Sequence, residues 1–336
     1  MNKLVLLYGT LVLGFLLIVM IYFRPSQLDP WDEVDRGLQG DIGEQYVMVT
    51  FQAGIDYWKP ALKGFEDAAE ALGVSVDFRG STQRDVHEQI TVLEQVIARK
   101  PAGIALTSIE PEALTASINK AVDAGIPVVL FDSGATGSKA YSFLGTDNYN
   151  AGVVAAHELA RRLEEHGEIA IITLPNQQNH QQRVAGFQDT IREQYPQMRV
   201  VAIKDGKGDV VVSRDMAAEA MEDYPELRGI FITEAVGGVG VGQAVISTGN
   251  LGRVTIISFD TDKGTLDMIR DGVISATLAQ GTWNMGYWSL QFLFHLHHGL
   301  VPQSASAGGN QQPLPPNVDT GVTVVTRDNV EDYYAR

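Results

Sequence analysis

A repeating alternation of short apolar runs and amphipathic stretches constrains this chain more than any other feature. Residues 46–51, 74–78, 103–107, 127–131 and 141–145 read as strands, with helices expected over 58–72, 85–98 and 111–124 between them. The first helical stretch carries Leu62, Phe65, Ala69 and Leu72, the spacing of one face of a 3.6-residue turn. The rhythm then restarts. Helices over 149–163, 182–194, 210–221 and 239–247 alternate with strands over 168–173, 199–203, 229–233, 254–258 and 273–278. Regular βα alternation with short connections implies parallel sheets covered by helices on both faces. Two runs of it imply an α/β chain with two similar lobes, each a doubly wound parallel sheet. A long helix over 284–298, a loop over 303–317 rich in Ser, Ala, Gly, Gln and Pro, and a strand over 321–326 close the chain.

Within this pattern the stretch Val254-Thr-Ile-Ile-Ser-Phe-Asp-Thr-Asp262 is the most informative. Its apolar run reads as a strand buried on both faces, and it stops abruptly at Asp260 and Asp262. A carboxylate there sits at the carboxyl edge of a parallel sheet, where open α/β folds bind ligands. Asp132 ends another such strand, Pro127-Val-Val-Leu-Phe131. Capping of the following helix is the competing use of an aspartate at these positions.

Charge and composition narrow the function. The formal charge is −16 over 336 residues, which argues against nucleic acid or an anionic membrane surface as the main partner. With no cysteine, disulfides, thiolate catalysis, cysteine-ligated zinc and a lipid-acylated cysteine are all excluded. The glycine run Gly237-Gly-Val-Gly-Val-Gly242 follows a strand and suggests a dinucleotide turn. The third glycine of that fingerprint should fall at position 243, which is Gln. Close helix packing is the better use of these glycines. His295, His297 and His298 lack a carboxylate at ligand spacing and fit a helix C-terminus instead. No cofactor, metal or catalytic motif is expected, so the chain reads as a non-enzyme.

At the N-terminus residues 4–23 carry no charge and are flanked by Lys3 and Arg24. Twenty such residues are long enough to cross a bilayer as a helix. The exit Val19-Met-Ile-Tyr-Phe-Arg-Pro25 offers no small-x-small cleavage site, so an uncleaved signal anchor is expected ahead of a removable signal peptide. Residues 25–44 then read as an acidic tether.

Several segments in register carry a resemblance: Lys63-Gly-Phe-Glu-Asp-Ala-Ala69, Gly125-Ile-Pro-Val-Val-Leu-Phe-Asp132, Asp147-Asn148, Arg183-Val-Ala-Gly-Phe187, Ser258-Phe-Asp260, Ala276-Thr-Leu-Ala-Gln280 and Asp319-Thr-Gly-Val-Thr-Val-Val-Thr326. From residue 46 to the C-terminus the chain resembles the ribose- and galactose-type periplasmic binding proteins, which share a core with LacI-type repressors. The resemblance implies two lobes, 45–146 plus 281–318 and 147–280 plus 319–336, joined by three hinge crossovers and closing over a ligand. It places Tyr57, Trp58, Asp132, Arg183, Glu234, Asp260 and Gln280 in the cleft. Trp58 would supply an aromatic plane for a sugar ring, and the charged groups would bond hydroxyls at fixed angles. The chain departs from the ribose-type pattern at Glu234-Ala235, where Asn or Asp is usual, and at Ser133, where Arg is usual. Three acids would then surround one evident cation, Arg183, and crowded carboxylates favour a ligand that donates to them. The implied function is extracytoplasmic capture of a small polar ligand, a monosaccharide first, for an ABC importer. The alternative is a receptor component reporting to a histidine kinase or chemoreceptor.

Overall fold

A computed structural model describes residues 37–135, 137–301 and 314–334. The uncharged stretch 4–23, most of the tether and most of the loop 303–317 lie outside these residues. Among the described residues no helix is long and apolar enough to cross a membrane.

The first run of elements is β1 (Gln45–Thr50), α1 (Lys59–Leu72), β2 (Ser75–Gly80), α2 (Val86–Ala98), β3 (Gly103–Leu106), α3 (Pro111–Asp123), β4 (Val128–Phe131) and β5 (Phe143–Gly145). The second is α4 (Asn148–Arg162), β6 (Gly167–Thr173), α5 (Gln178–Gln194), β7 (Met198–Asp205), α6 (Val210–Asp223), β8 (Leu227–Ile232), α7 (Gly237–Ser247), β9 (Thr255–Phe259), α8 (Lys263–Arg270) and β10 (Ala276–Gln280). The chain then returns through α9 (Thr282–His297), β11 (Asn317–Asp319) and β12 (Val322–Val325).

Two sheets result, ordered β11-β5-β4-β3-β1-β2 and β12-β10-β9-β8-β6-β7. The central strands β3 and β4 are buried along their whole length, which is why they read as unbroken apolar runs. Apolar clusters cover both faces of each sheet: Phe65, Phe131 and Phe294 lie on one face of the first, and Leu93, Leu106 and Ile118 on the other. Pairing is parallel throughout except for β12, which runs antiparallel to β10. The expectation of purely parallel sheets is corrected at that edge.

Local chemistry sets the helix ends. Asp85, Asp209 and Asp262 accept from backbone amides at the starts of α2, α6 and α8, as N-caps do. Gly73 takes φ 68° and ends α1, a left-handed stop that glycine adopts freely. Helix α5 begins at Gln178, four residues before the start expected from periodicity. Its first turns are polar because Gln178, Asn179, His180, Gln182 and Arg183 line the cleft, so no apolar spacing marks them. Helix α8 and strand β11 were not expected. The first is one short amphipathic segment and the second three residues whose strand character comes from pairing with β5.

Helix pairs in both lobes touch backbone to backbone. A Cβ on Gly286 would meet Ala61 O at 1.8 Å and one on Gly64 would meet Trp283 O at 2.1 Å, joining α9 to α1. In the second lobe Gly152 and Gly186 face Arg183 O and Tyr149 O, each at 2.0 Å. Gly240 in α7 likewise faces Val210 O at 2.1 Å, the close packing expected of that glycine run. Among the crossovers, Asp319 Oδ1 accepts from Asp147 N at 3.0 Å and Gly321 N at 2.9 Å, and Gly281 N donates to Gly321 O at 3.0 Å.

The glycine contacts generate a stability prediction. Gly186→Ala places a methyl against a backbone carbonyl, and overpacking of this kind costs about 1–3 kcal/mol. Urea denaturation is expected to show a loss in that range, and a change below about 0.5 kcal/mol would mean the helices are not in backbone contact.

Candidate functional site

The carboxyl edges of the two sheets face a cleft of 1460 Å³, larger than the roughly 300–1,000 Å³ of common small-molecule pockets. All seven residues expected in the cleft line it: Tyr57, Trp58, Asp132, Arg183, Glu234, Asp260 and Gln280.

Asp132 follows β4 and Asp260 follows β9, and these strands hold the same position in their sheets. Both residues adopt left-handed backbone, φ 60° and 64°, a conformation that costs most side chains energy but that aspartate tolerates. Each keeps its amide in the sheet: Asp132 N donates to Leu144 O at 2.9 Å and Asp260 N to Leu278 O at 2.8 Å. The turn aims both carboxylates into the cleft. The capping alternative is resolved for the Asp260–Asp262 pair, because Asp262 caps α8 and Asp260 Oδ1 instead accepts from Gln280 Nε2 at 2.8 Å.

Arg183 is 3% exposed, the product of its place on the inner face of α5. Its guanidinium donates to Asn148 Oδ1 at 2.9 Å and Thr233 O at 2.7 Å, and more weakly to Gln280 Oε1 at 3.4 Å. The group lies 3.7 Å from the centroid of the Phe259 ring, a stacked cation that a lysine would not reproduce. Asn148, Thr233 and Phe259 therefore fix Arg183 in place. Of five N–H donors in the fork, those three bonds use three.

Trp58 is 2% exposed and belongs to the core beneath the cleft. Its indole N–H donates to Phe51 O at 2.8 Å, and its ring meets those of Phe51, Tyr57 and Phe131 edge-on. The partly exposed aromatic surfaces along the cleft are those of Phe51, Tyr57 and Phe143, and Tyr149 is exposed. Tyr57 Oη donates to Asp132 Oδ1 at 2.5 Å. Glu234 is 5% exposed. Its Oε2 accepts from Val236 N at 2.7 Å, and Oε1 is buried against Gly237 at the start of α7.

Burial governs the electrostatics. It pushes the Asp260 carboxyl up to about 6, against the pull of Arg183 and the Gln280 hydrogen bond. Burial also raises Asp132 and Glu234 above the usual carboxylate range. His180, beside Thr233, is driven down to about 3 by burial and by Arg183, so it is neutral. The sequence pointed to one cation here. Arg84, exposed at the rim with its guanidinium 5.3 Å from the Phe51 ring, is a second. Nothing in its sequence surroundings marks it, and the same holds for Thr107 and Thr146, which reach Asp132 and Gln280 only through the fold.

A family model described as periplasmic binding protein domain matches residues 46–299. Among curated proteins, the D-ribose/D-allose-binding protein of Pseudomonas aeruginosa is 26% identical over 69% of this chain and 74% of its own. The D-allose-binding periplasmic protein of Escherichia coli is also 26% identical, over 74% of this chain and 83% of its own. Among solved structures, AraP, an arabinose binding protein from Geobacillus stearothermophilus, is 64% identical with a TM-score of 0.84, covering 87% of this chain and 99% of that one.

The raised Asp260 carboxyl has a signed consequence. Its folded value of about 6 exceeds its ordinary value of 3.8, so between those limits the native state holds the extra proton and this group's contribution to stability falls as pH rises. Above pH 6 the buried charge opposes folding in full. Asp260→Asn is therefore expected to stabilise the ligand-free protein by about 1–3 kcal/mol at pH 7, with the difference vanishing near pH 4. Thermal melts of both proteins across pH 4–8 check this, and a variant less stable at pH 7 would contradict it.

Proposed function

Because the chain belongs to the periplasmic binding protein domain family, we propose that it captures a neutral monosaccharide outside the cytoplasm and delivers it to an ABC importer. An aldopentose of the arabinose type is the first ligand to test, since the 64% identical solved relative is called an arabinose binding protein. The reading is one of binding, not catalysis.

One observation carries the ligand class: opposed carboxylates at equivalent sheet ends, with one fixed guanidinium between the lobes. Sugar hydroxyls donate to carboxylates and accept from Arg N–H groups, and each such charge-assisted bond is about twice as strong as a neutral one. An anionic sugar would meet three raised carboxyls, Asp132, Asp260 and Glu234, and be disfavoured. Binding would draw residues 45–146 plus 281–318 toward 147–280 plus 319–336 by bending the three crossovers. The uncharged stretch 4–23 and the lack of cysteine support attachment to the cytoplasmic membrane through an uncleaved N-terminal helix.

Titration calorimetry of the full-length protein with arabinose tests this reading. Asp260→Asn removes charge but keeps shape, and a desolvated charge-assisted bond contributes about 1.5–3 kcal/mol, so affinity is expected to fall about tenfold or more. If Arg183→Gln weakens binding while Asp260→Asn does not, Asp260 is not a ligand group. Mass analysis is expected to find the N-terminus at Met1 or Asn2. Loss of arabinose uptake on deletion of the gene supports delivery, whereas intact uptake with lost arabinose-dependent transcription would move the function to sensing.

A further inference from the structure

Each lobe brings an arginine to the cleft. Among the described residues, Arg183 lines it from the second lobe and Arg84 from the first. Arg183 is buried and held by Asn148, Thr233 and Phe259, whereas Arg84 stands exposed on the loop between β2 and α2. An exposed arginine is usually a solvated charge, paired if at all with an acid beside it. Arg84 departs from that pattern, because the acids nearest in sequence are engaged by the loop itself. Asp85 Oδ1 accepts from His87 N at 2.8 Å and Glu88 N at 3.0 Å, and the Glu88 carboxylate accepts from Thr82 N at 2.9 Å and Gln83 N at 3.4 Å. The guanidinium lies instead over the ring of Phe51, 5.3 Å from its centroid. On an aromatic face a guanidinium keeps N–H donors at its edges for another partner.

Hydrogen bonds fix the loop that carries Arg84. Ala53 N donates to Ser81 O at 2.9 Å and Ser81 Oγ to Gln83 O at 2.6 Å, which joins the loop to the segment after β1 that bears Phe51 and Tyr57. Gln89, buried in the first turn of α2, donates to Thr107 O at 2.7 Å and accepts from Ile109 N at 3.1 Å. Phe51, Tyr57, Thr107 and Arg84 therefore share one frame around Asp132. The charge of Arg84 is felt in both lobes. Burial raises the Asp132 carboxyl, and Tyr57, Arg183, Thr107 and Arg84 all draw it back. His180, at the start of α5, is lowered by burial first and then by Arg183, and Arg84 adds to the effect. A group acting on both stands at the gap between the lobes.

We propose that Arg84 is a ligand-contacting, specificity-determining residue whose guanidinium donates to the sugar hydroxyl that Asp132 binds, or to the one next to it. This rests on reading the cleft as a sugar site. A hydroxyl donates one hydrogen and accepts through two lone pairs, while an ionised carboxylate only accepts. A hydroxyl given to Asp132 therefore keeps lone pairs that need a donor. The neutral donors at Asp132 are turned to the carboxylate itself: the Tyr57 hydroxyl to Oδ1 at 2.5 Å and the Thr107 hydroxyl to Oδ2 at 3.4 Å. Ser133 and Gly134 follow Asp132 and bring no charge. Arg84 is the first lobe's charged donor to that hydroxyl, the counterpart of Arg183 beside Asp260 in the second. A site that sets carboxylate and guanidinium around one hydroxyl discriminates strongly against a sugar lacking it, because both groups lose their partner.

Calorimetry of the native protein and of Arg84→Gln, with arabinose and with each of its monodeoxy analogues, is the test. The variant is expected to bind arabinose about tenfold more weakly, the value of one charge-assisted bond. For the analogue that lacks the contacted hydroxyl, native protein and variant are expected to agree within about twofold, while the other analogues keep a gap of about tenfold. Because Arg84 is exposed, the ligand-free variant is expected to melt within about 2 °C of the native protein. A loss below about twofold with arabinose itself makes Arg84 a solvated rim charge, and an equal loss with every analogue makes it a distant charge acting through Asp132. Either result overturns the contact, and so does a larger fall in melting temperature, which makes Arg84 a group of the fold. Those outcomes all require a native protein that binds sugar. If neither arabinose nor another neutral sugar binds it, the functional reading fails, and the role of Arg84 falls with it.

Discussion

The burial of Asp132 and Asp260 on either side of one guanidinium is the constraint on which the rest of the cleft depends. Carboxylates taken out of water favour their neutral form, and burial is the largest influence on both. Keeping them ionised requires donors held at fixed positions, and the fold supplies these from distant parts of the chain. Tyr57 comes from the loop after β1, Thr107 from the end of β3, Gln280 from β10 and Arg183 from α5. Arg183 is itself buried and is held by Asn148, Thr233 and Phe259. A site assembled in this way is held in place by its own hydrogen bonds, and its cost in native stability is the usual trade against function.

The internal likeness of the lobes explains how this precision is reached. Strands β4 and β9 occupy equivalent places, and the aspartates after them share a left-handed turn and the same amide bond to the neighbouring strand. The reciprocal glycine contacts, Gly64 with Gly286 and Gly152 with Gly186, repeat in the same sense. Each lets a helix that follows a crossover press directly on the helix that follows the first strand of its lobe. In the second lobe that pressed helix is α5, so the contact also sets the depth of Arg183. Sheet edge, helix packing and site geometry are therefore one mechanical unit in each lobe, and the crossovers joined through Asp319 link the two.

A cleft built between two such units suits a ligand that bonds both at once. Relatives in the periplasmic binding protein domain family include proteins named for ribose, allose and arabinose, ligands whose ring hydroxyls point in several directions. Two features of the present cleft bear on its charge. Glu234 is a buried acid whose carboxyl is raised above the usual range by burial, and Ser133 follows Asp132 where the resemblance to ribose-type proteins implies an arginine. Neither position brings a positive charge to the cleft.

Much of this was legible in the chain itself. The periodicity of apolar residues determined the α/β class and the order of elements, because burial on one helix face or on both strand faces leaves a pattern that needs no partner to be read. Abrupt strand ends at Asp132 and Asp260 located the cleft for the same reason. What only the tertiary structure decided was the work of residues whose partners are far away in sequence. Trp58 went to the core because Phe51 and Phe131 close around it, while Asp260 and Asp262, two residues apart, split into cleft group and helix cap according to which neighbour each turn faced. Helix α8, strand β11 and the early start of α5 lacked an apolar signal, since short pairing and a polar cleft face produce none. The meeting of Gln280 with Thr146, Arg183, Tyr57 and Asp260 is the clearest case: sequence reveals that an amide is present, but only the packed lobes bring these four partners to it.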